Sequence, residues 1–132
     1  MFNKKVYNFS TGTNTRYTLV DDNDNDIVYT EASISEGDSF RERTLKCNYY
    51  PFRRLVYFHS FGTLIKEKQH KGYGRKMLQY VKSQYQDVVM YLAVGSCGPM
   101  TNEQLIEFYK SEGFKELPPQ SWTDCTLMAI EL

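Results

Sequence analysis

The chain has 132 residues, enough for one domain around a single core. Hydrophobic residues make up 41% and charged residues 24%, ordinary values for a globular protein, and 11 Tyr with 8 Phe predict an aromatic core. The 16 basic and 16 acidic residues cancel, which argues against a dedicated nucleic-acid binder, and no apolar run is long enough to predict a membrane span.

Charge is unevenly placed along the chain. No Lys or Arg occurs from Tyr17 to Phe40, while Asp21, Asp22, Asp24, Asp26, Glu31, Glu36 and Asp38 are acidic. From Lys66 to Lys76 the balance reverses, with Lys66, Lys68, Lys71, Arg75 and Lys76 against Glu67. The second segment should attract anions. Cys47, Cys97 and Cys125 are widely spaced and form no CxxC pair, and His59 and His70 are the only histidines. Reduced thiols in a cytoplasmic protein without a structural metal are expected. The start, Met1 to Lys5, leads into no apolar run resembling a signal peptide.

No repeat or linker divides the chain, so residues 1–132 read as one domain. Lys5–Phe9 and Arg16–Val20 are β-prone runs around a turn-rich cluster, Ser10–Asn14. Asp21–Asp26 is a second turn; it lacks the Gly and terminal Glu of a calcium loop. Ile27–Ile34, Thr44–Tyr50 and Leu55–Ile65 read as further strands, so the first half is expected to be an antiparallel meander. After Gly74, Met77, Leu78, Val81 and Tyr85 recur at helical spacing, and Val88–Val94 has the continuous apolar character of a buried central strand. Thr101-Asn102-Glu103-Gln104 matches a capping box ahead of Leu105, Phe108 and Tyr109, with Gly113 as the helix stop. Pro118-Pro119 breaks the chain before a last strand near Thr126–Ile130. The order predicts an α+β domain with a mixed, mainly antiparallel sheet and a central βαβ unit.

The chemistry concentrates between Leu64 and Arg75. There a loop bearing Gly72 and Gly74 joins a strand to a helix N-terminus, where unpaired N–H groups and the helix dipole favour a phosphate. A Rossmann fingerprint would need a third glycine at Met77, and a Walker loop a Ser or Thr after Gly-Lys; neither is present. What remains, Gln69-x-x-Gly72-x-Gly74, resembles the diphosphate loop of the GNAT acetyltransferases. Downstream, Asn102-x-x-Leu105-Ile106-x-Phe108-Tyr109-x-x-x-Gly113-Phe114 is similar to that superfamily's fourth helix, in the expected order. The resemblance spans roughly Gly62 to Phe114.

The resemblance implies the GNAT fold, with a splayed pair of parallel strands, and acetyl-CoA as cosubstrate without a metal. Backbone amides of Gln69, His70, Lys71, Gly72, Tyr73 and Gly74, with the charge of Arg75, would hold the diphosphate. Leu64 and Ile65 would pair with the pantetheine arm, and Asn102 would approach it. The Gly62 N–H would contact the acetyl carbonyl, where a preorganised donor is worth about 3 kcal/mol to an oxyanion. Tyr109 would protonate the leaving thiolate. Beside these stand plainer roles: Tyr109 as a core residue, Asn102 as a cap, His59 as a structural strand residue.

Departures from the superfamily pattern concern the acceptor. Phe58 stands where some protein-acetylating members carry a glutamate base, which leaves water, Glu31 or His59 to deprotonate the amine. The pair of helices that usually follows the first strand has no counterpart in the residues, only strand and turn signals. The expected function is acetyl transfer to a primary amine, on a small molecule or a protein, with no nucleic-acid or membrane partner and a homodimer allowed. The alternatives are a degenerate module that holds CoA or acyl-CoA for a protein partner, and a small structural protein with no CoA site.

Overall fold

The structure is a computed structural model describing residues 1–35, 39–59, 62–63, 72–95 and 100–132. β1 (Phe2–Phe9) and β2 (Gly12–Val20) form a hairpin whose register closes at Phe9 and Gly12, so the turn is only Ser10-Thr11. Gly12 is required there: its φ is +145°, and a Cβ would lie 2.1 Å from the Ile34 carbonyl oxygen on the next strand. β3 (Asp26–Ser35) pairs antiparallel with β2. The acidic turn between them is closed by Asp21, whose carboxylate accepts from the backbone N–H groups of Asn23 (2.9 Å) and Asn25 (3.0 Å).

The next element departs from the expected meander. Thr44–Tyr50 was expected as a strand, yet Phe40–Asn48 is a helix, α1. It opens with a full capping box, in which the Ser39 hydroxyl accepts from the Glu42 N–H and the Glu42 carboxylate accepts from Ser39. Its apolar stripe is nearly empty, since only Leu45 and Glu42 are buried and Phe40 is exposed, so periodicity cannot reveal it. β4 (Arg54–Phe58) follows, then β5 (Gly62–Thr63), α2 (Tyr73–Ser83), β6 (Val88–Ala93), α3 (Asn102–Ser111), β7 (Lys115–Glu116) and β8 (Leu127–Glu131).

The strands form one mixed sheet in the order β1-β2-β3-β4-β6-β8-β7, with β5 paired to β3. β4 and β6 are parallel, joined through α2 as the expected βαβ unit; the other pairings are antiparallel. Central β6, Val-Val-Met-Tyr-Leu-Ala, is buried on both faces as its continuous apolar run requires. On one face, Tyr17, Val28, Val56, Phe58, Met90 and Met128 meet Met77, Leu78 and Val81 of α2 and Tyr109 of α3. On the other, Leu55, Tyr57, Val89, Tyr91 and Leu127 meet Leu45 of α1.

α3 begins at the capping box of Thr101 and Gln104 and stops before Gly113, whose φ of +98° is the left-handed stop the sequence predicts. Just ahead of it, buried Glu112 ties the two helices of one face together. Its carboxylate pairs with Arg75 of α2 and lies 3.4 Å from Lys82 Nζ, which also donates to the Glu112 carbonyl at 2.7 Å. Glu112→Gln keeps the volume but removes the charge facing two cations. We expect a loss of about 2 kcal/mol, read from urea unfolding, because charge-assisted bonds are worth roughly twice neutral ones.

Candidate active site

The site is built around a break in the sheet. The parallel ladder of β4 and β6 runs from Arg54–Val88 to Tyr57–Tyr91 and ends there. Beyond it, β6 stays with β8, through the Ala93–Leu127 pair and a 2.8 Å bond from the Val94 N–H to the Thr126 carbonyl. β3 pairs with β4 through Ala32–Phe58 and Ser33–Tyr57 and with β5 through Tyr29–Gly62 and Val28–Thr63. Within the stretch expected as one strand, Leu55–Ile65, the described residues form two strands, β4 and β5. Among the described residues no strand bridges β5 and the end of β6, so the sheet breaks there.

α2 starts differently from the other helices. Its N-cap is Gly72, at φ +82°, with no side-chain cap, whereas α1 and α3 both open with capping boxes. The first helical bond runs from the Lys76 N–H to the Gly72 carbonyl at 3.1 Å, so the N–H groups of Tyr73, Gly74 and Arg75 precede the ladder. A Cβ on Gly72 would meet nothing within 4 Å. The Arg75 guanidinium pairs with Glu112 and lies 5.1 Å from the Phe108 ring. Leu64, Ile65, Gln69, His70 and Lys71 lie outside the described residues; Gly62 sits in β5, in register with Tyr29.

Two candidates on α3 are separated by their environments. Asn102 is exposed in the first turn, and because Thr101 is the cap, the capping role considered for Asn102 is overturned. Tyr109 is only 4% exposed, its ring edge-on to Phe108 (5.4 Å) and Phe114 (5.6 Å). It belongs to the core on the α2–α3 face of the sheet.

His59 directly follows β4, where the parallel ladder has ended. Its backbone is held on both sides, the N–H by the Glu31 carbonyl (2.8 Å) and the carbonyl by the Thr30 hydroxyl (2.8 Å). Its ring stands edge-on to Tyr57 at 4.6 Å, on the face that α1 covers. Nε2 is 2.9 Å from Ser33 Oγ. The Ser33 hydroxyl donates to Asn14 Oδ1 at 2.7 Å, and Asn14 Nδ2 donates to the Glu31 carboxylate at 3.0 Å. Glu31 in turn faces Arg16 at 3.9 Å. Across the break Arg41 of α1 lies over the rings of Tyr57 (4.7 Å) and Tyr91 (5.9 Å). Burial lowers the His59 pKa, the Glu31 charge opposes that and Arg41 reinforces it, so the imidazole is neutral near pH 7. Burial raises the Tyr91 pKa and keeps its phenol protonated.

Asn14, Ser33, Arg41, Tyr57 and Tyr91 escaped the sequence reading because four strands and a helix bring them together and no local spacing marks them. The only signal was the alternation that sets Tyr57 and His59 on one face. His59 and Tyr109 stand on opposite faces of the sheet. Among the described residues no group of three or more His, Cys, Asp or Glu gathers to hold a metal, and no helix is long and apolar enough to cross a membrane.

No family model and no curated protein matches the chain. Solved structures do. One is a protein assigned to the GNAT acetyltransferases from Bacteroides thetaiotaomicron, 16% identical at a TM-score of 0.56, covering 90% of this chain and 62% of that one. A second, a histone acetyltransferase HPA2-related protein from Corynebacterium glutamicum, is 15% identical at 0.57 and covers 91% and 64%. A third, a phosphinothricin acetyltransferase from Sinorhizobium meliloti in complex with acetyl-CoA, is 18% identical at 0.59 and covers 90% and 61%. The chain thus spans less than two thirds of each, and at these identities the likeness is one of fold. With its mixed sheet, parallel β4–β6 pair and three helices, the chain has the fold of the GNAT acetyltransferases.

Proposed function

We propose that the protein transfers the acetyl group of acetyl-CoA to a primary amine by direct attack. The observation that carries this reading is the end of the parallel ladder at Tyr57–Tyr91, beyond which no described strand bridges β5 and β6, together with an α2 that opens at Gly72 without a side-chain cap. An extended pantetheine arm can hydrogen-bond to such edges as an added strand does, and a diphosphate suits the amides of Tyr73 to Arg75. The fold neighbour in complex with acetyl-CoA supports the same cosubstrate. The thioester supplies an activated acyl carbon. The amine nitrogen bonds to that carbon, the C–S bond breaks, Tyr109 gives its proton to sulfur, and His59 takes the proton the nitrogen loses. The Gly62 N–H is the donor for the carbonyl oxygen, and Asn102, exposed at the start of α3, is free to meet the arm.

The acceptor enters from the face that α1 covers, where His59, Tyr57, Tyr91 and Arg41 lie; it is a small molecule or a protein side chain. Neither nucleic acid nor a membrane has a place in this reading. Cys47 and Cys125 are exposed free thiols, which supports a reducing, cytoplasmic setting. Val6, Tyr7 and Phe9 are exposed on edge strand β1, which supports a second copy of the chain as partner. One feature favours a second reading, a CoA-binding module without turnover. β1 passes into β2 through two residues, with no helices between them to wall the acceptor side.

CoA binding is tested at Gly72. In Gly72→Ala the new methyl points into open space within the structure, at a backbone cost of about 1 kcal/mol for the left-handed φ. That same space is where the diphosphate must approach. CoA affinity by calorimetry should fall at least tenfold, about 1.4 kcal/mol. Unchanged affinity in the folded variant would move the diphosphate elsewhere.

A further inference from the structure

The polar chain behind His59 has a direction, and the direction fixes which ring nitrogen is basic. The Glu31 carboxylate offers only acceptors, so the Asn14 group facing it at 3.0 Å is the NH2. That turns Asn14 Oδ1 toward Ser33, and an amide oxygen accepts, so the single Ser33 hydroxyl proton is spent on that 2.7 Å bond. Ser33 Oγ then has only lone pairs for His59 Nε2, 2.9 Å away. We infer that Glu31, Asn14 and Ser33 are positioning residues that hold His59 as the Nε2–H tautomer, leaving Nδ1 as the nitrogen that accepts a proton from the acceptor amine. The catalytic part of this inference rests on the proposed function; the tautomer does not.

Every bond in the chain donates toward Glu31, from His59 through Ser33 and Asn14. When Nδ1 takes a proton, the Nε2–H bond to Ser33 strengthens and the positive charge faces a line of dipoles ending in a carboxylate. Arg16 on β2 balances that carboxylate from outside at 3.9 Å. Arg41 on α1 opposes the imidazolium, while Tyr57 and Tyr91 present neutral rings. Ser33 and Asn14 thus have a use that a solvated strand surface would not require, and the sheet supplies it from β2, β3 and the residue that follows β4.

Nitrogen-15 NMR of the imidazoles in the intact protein at pH 8.5 is the test, with the His59 signals identified by their loss in His59→Gln. The expected spectrum shows Nε2 protonated and Nδ1 bare. Ser33→Ala should reduce the tautomer preference about fivefold, the worth of one neutral hydrogen bond of about 1 kcal/mol. Glu31→Gln keeps the shape but can donate as well as accept, so it should also weaken the preference, and loss of its charge should lower the His59 pKa further. A wild-type His59 protonated at Nδ1, or a preference and pKa unmoved in both variants, overturns the assignment. If the tautomer is as expected while His59→Gln acetylates an amine at the wild-type rate, the tautomer assignment stands and His59 is not the base.

Discussion

Gly12→Ala is expected to cost about 4 kcal/mol, the sum of left-handed strain and a clash that no side chain can relieve. At φ +145° an L-residue is disfavoured outright, and the added Cβ would sit 2.1 Å from the Ile34 carbonyl oxygen and 2.8 Å from the Ser35 Cα. Both obstacles are backbone of β3, so relief requires β2 and β3 to part at their end. Four kcal/mol is a large share of the 5–15 kcal/mol typical of a whole domain. Urea unfolding measures it, and a loss under about 1 kcal/mol would mean that the hairpin relaxes without disturbing β3.

Tyr109→Phe carries the second large effect, on turnover. The variant keeps the ring between Phe108 and Phe114 and deletes only the hydroxyl, so CoA affinity should barely change. If the hydroxyl protonates the departing thiolate, kcat should fall about 10²-fold, in the lower range for general acid catalysis. The measurement is single-turnover acetylation of an amine identified by screening for CoA release. A wild-type rate in the variant would leave Tyr109 as the core residue that its burial already makes it.

The second half of the chain was legible because its signals are local. Met77, Leu78 and Val81 are the buried stripe of α2, Thr101 and Gln104 form the capping box, and Gly113 is left-handed. The first half hid a helix for a physical reason. α1 buries one aliphatic side chain, so its apolar period is too sparse to read, and Tyr49-Tyr50 beyond it lend a β character to the window. Its one clear mark was Ser39-x-x-Glu42, the same box that located α3. The division of Leu55–Ile65 into β4 and β5 had no mark at all, because pairing is a property of two strands and not of either. The polar chain from His59 to Glu31 was beyond reach for the same reason. The pairing of Arg75 with Glu112, 37 residues on, was equally out of reach of local spacing.

The two faces of the sheet are roofed unequally: α2 and α3 bury Met77, Leu78, Val81 and Tyr109 on one, stitched together by Glu112, and the nine-residue α1 covers the other through Leu45. Because Leu55, Val89, Tyr91 and Leu127 are buried beneath it, α1 cannot lift without exposing that apolar face. Arg41 is thereby kept over the rings of Tyr57 and Tyr91, and the shortest helix sets how much of those rings a visiting molecule can meet.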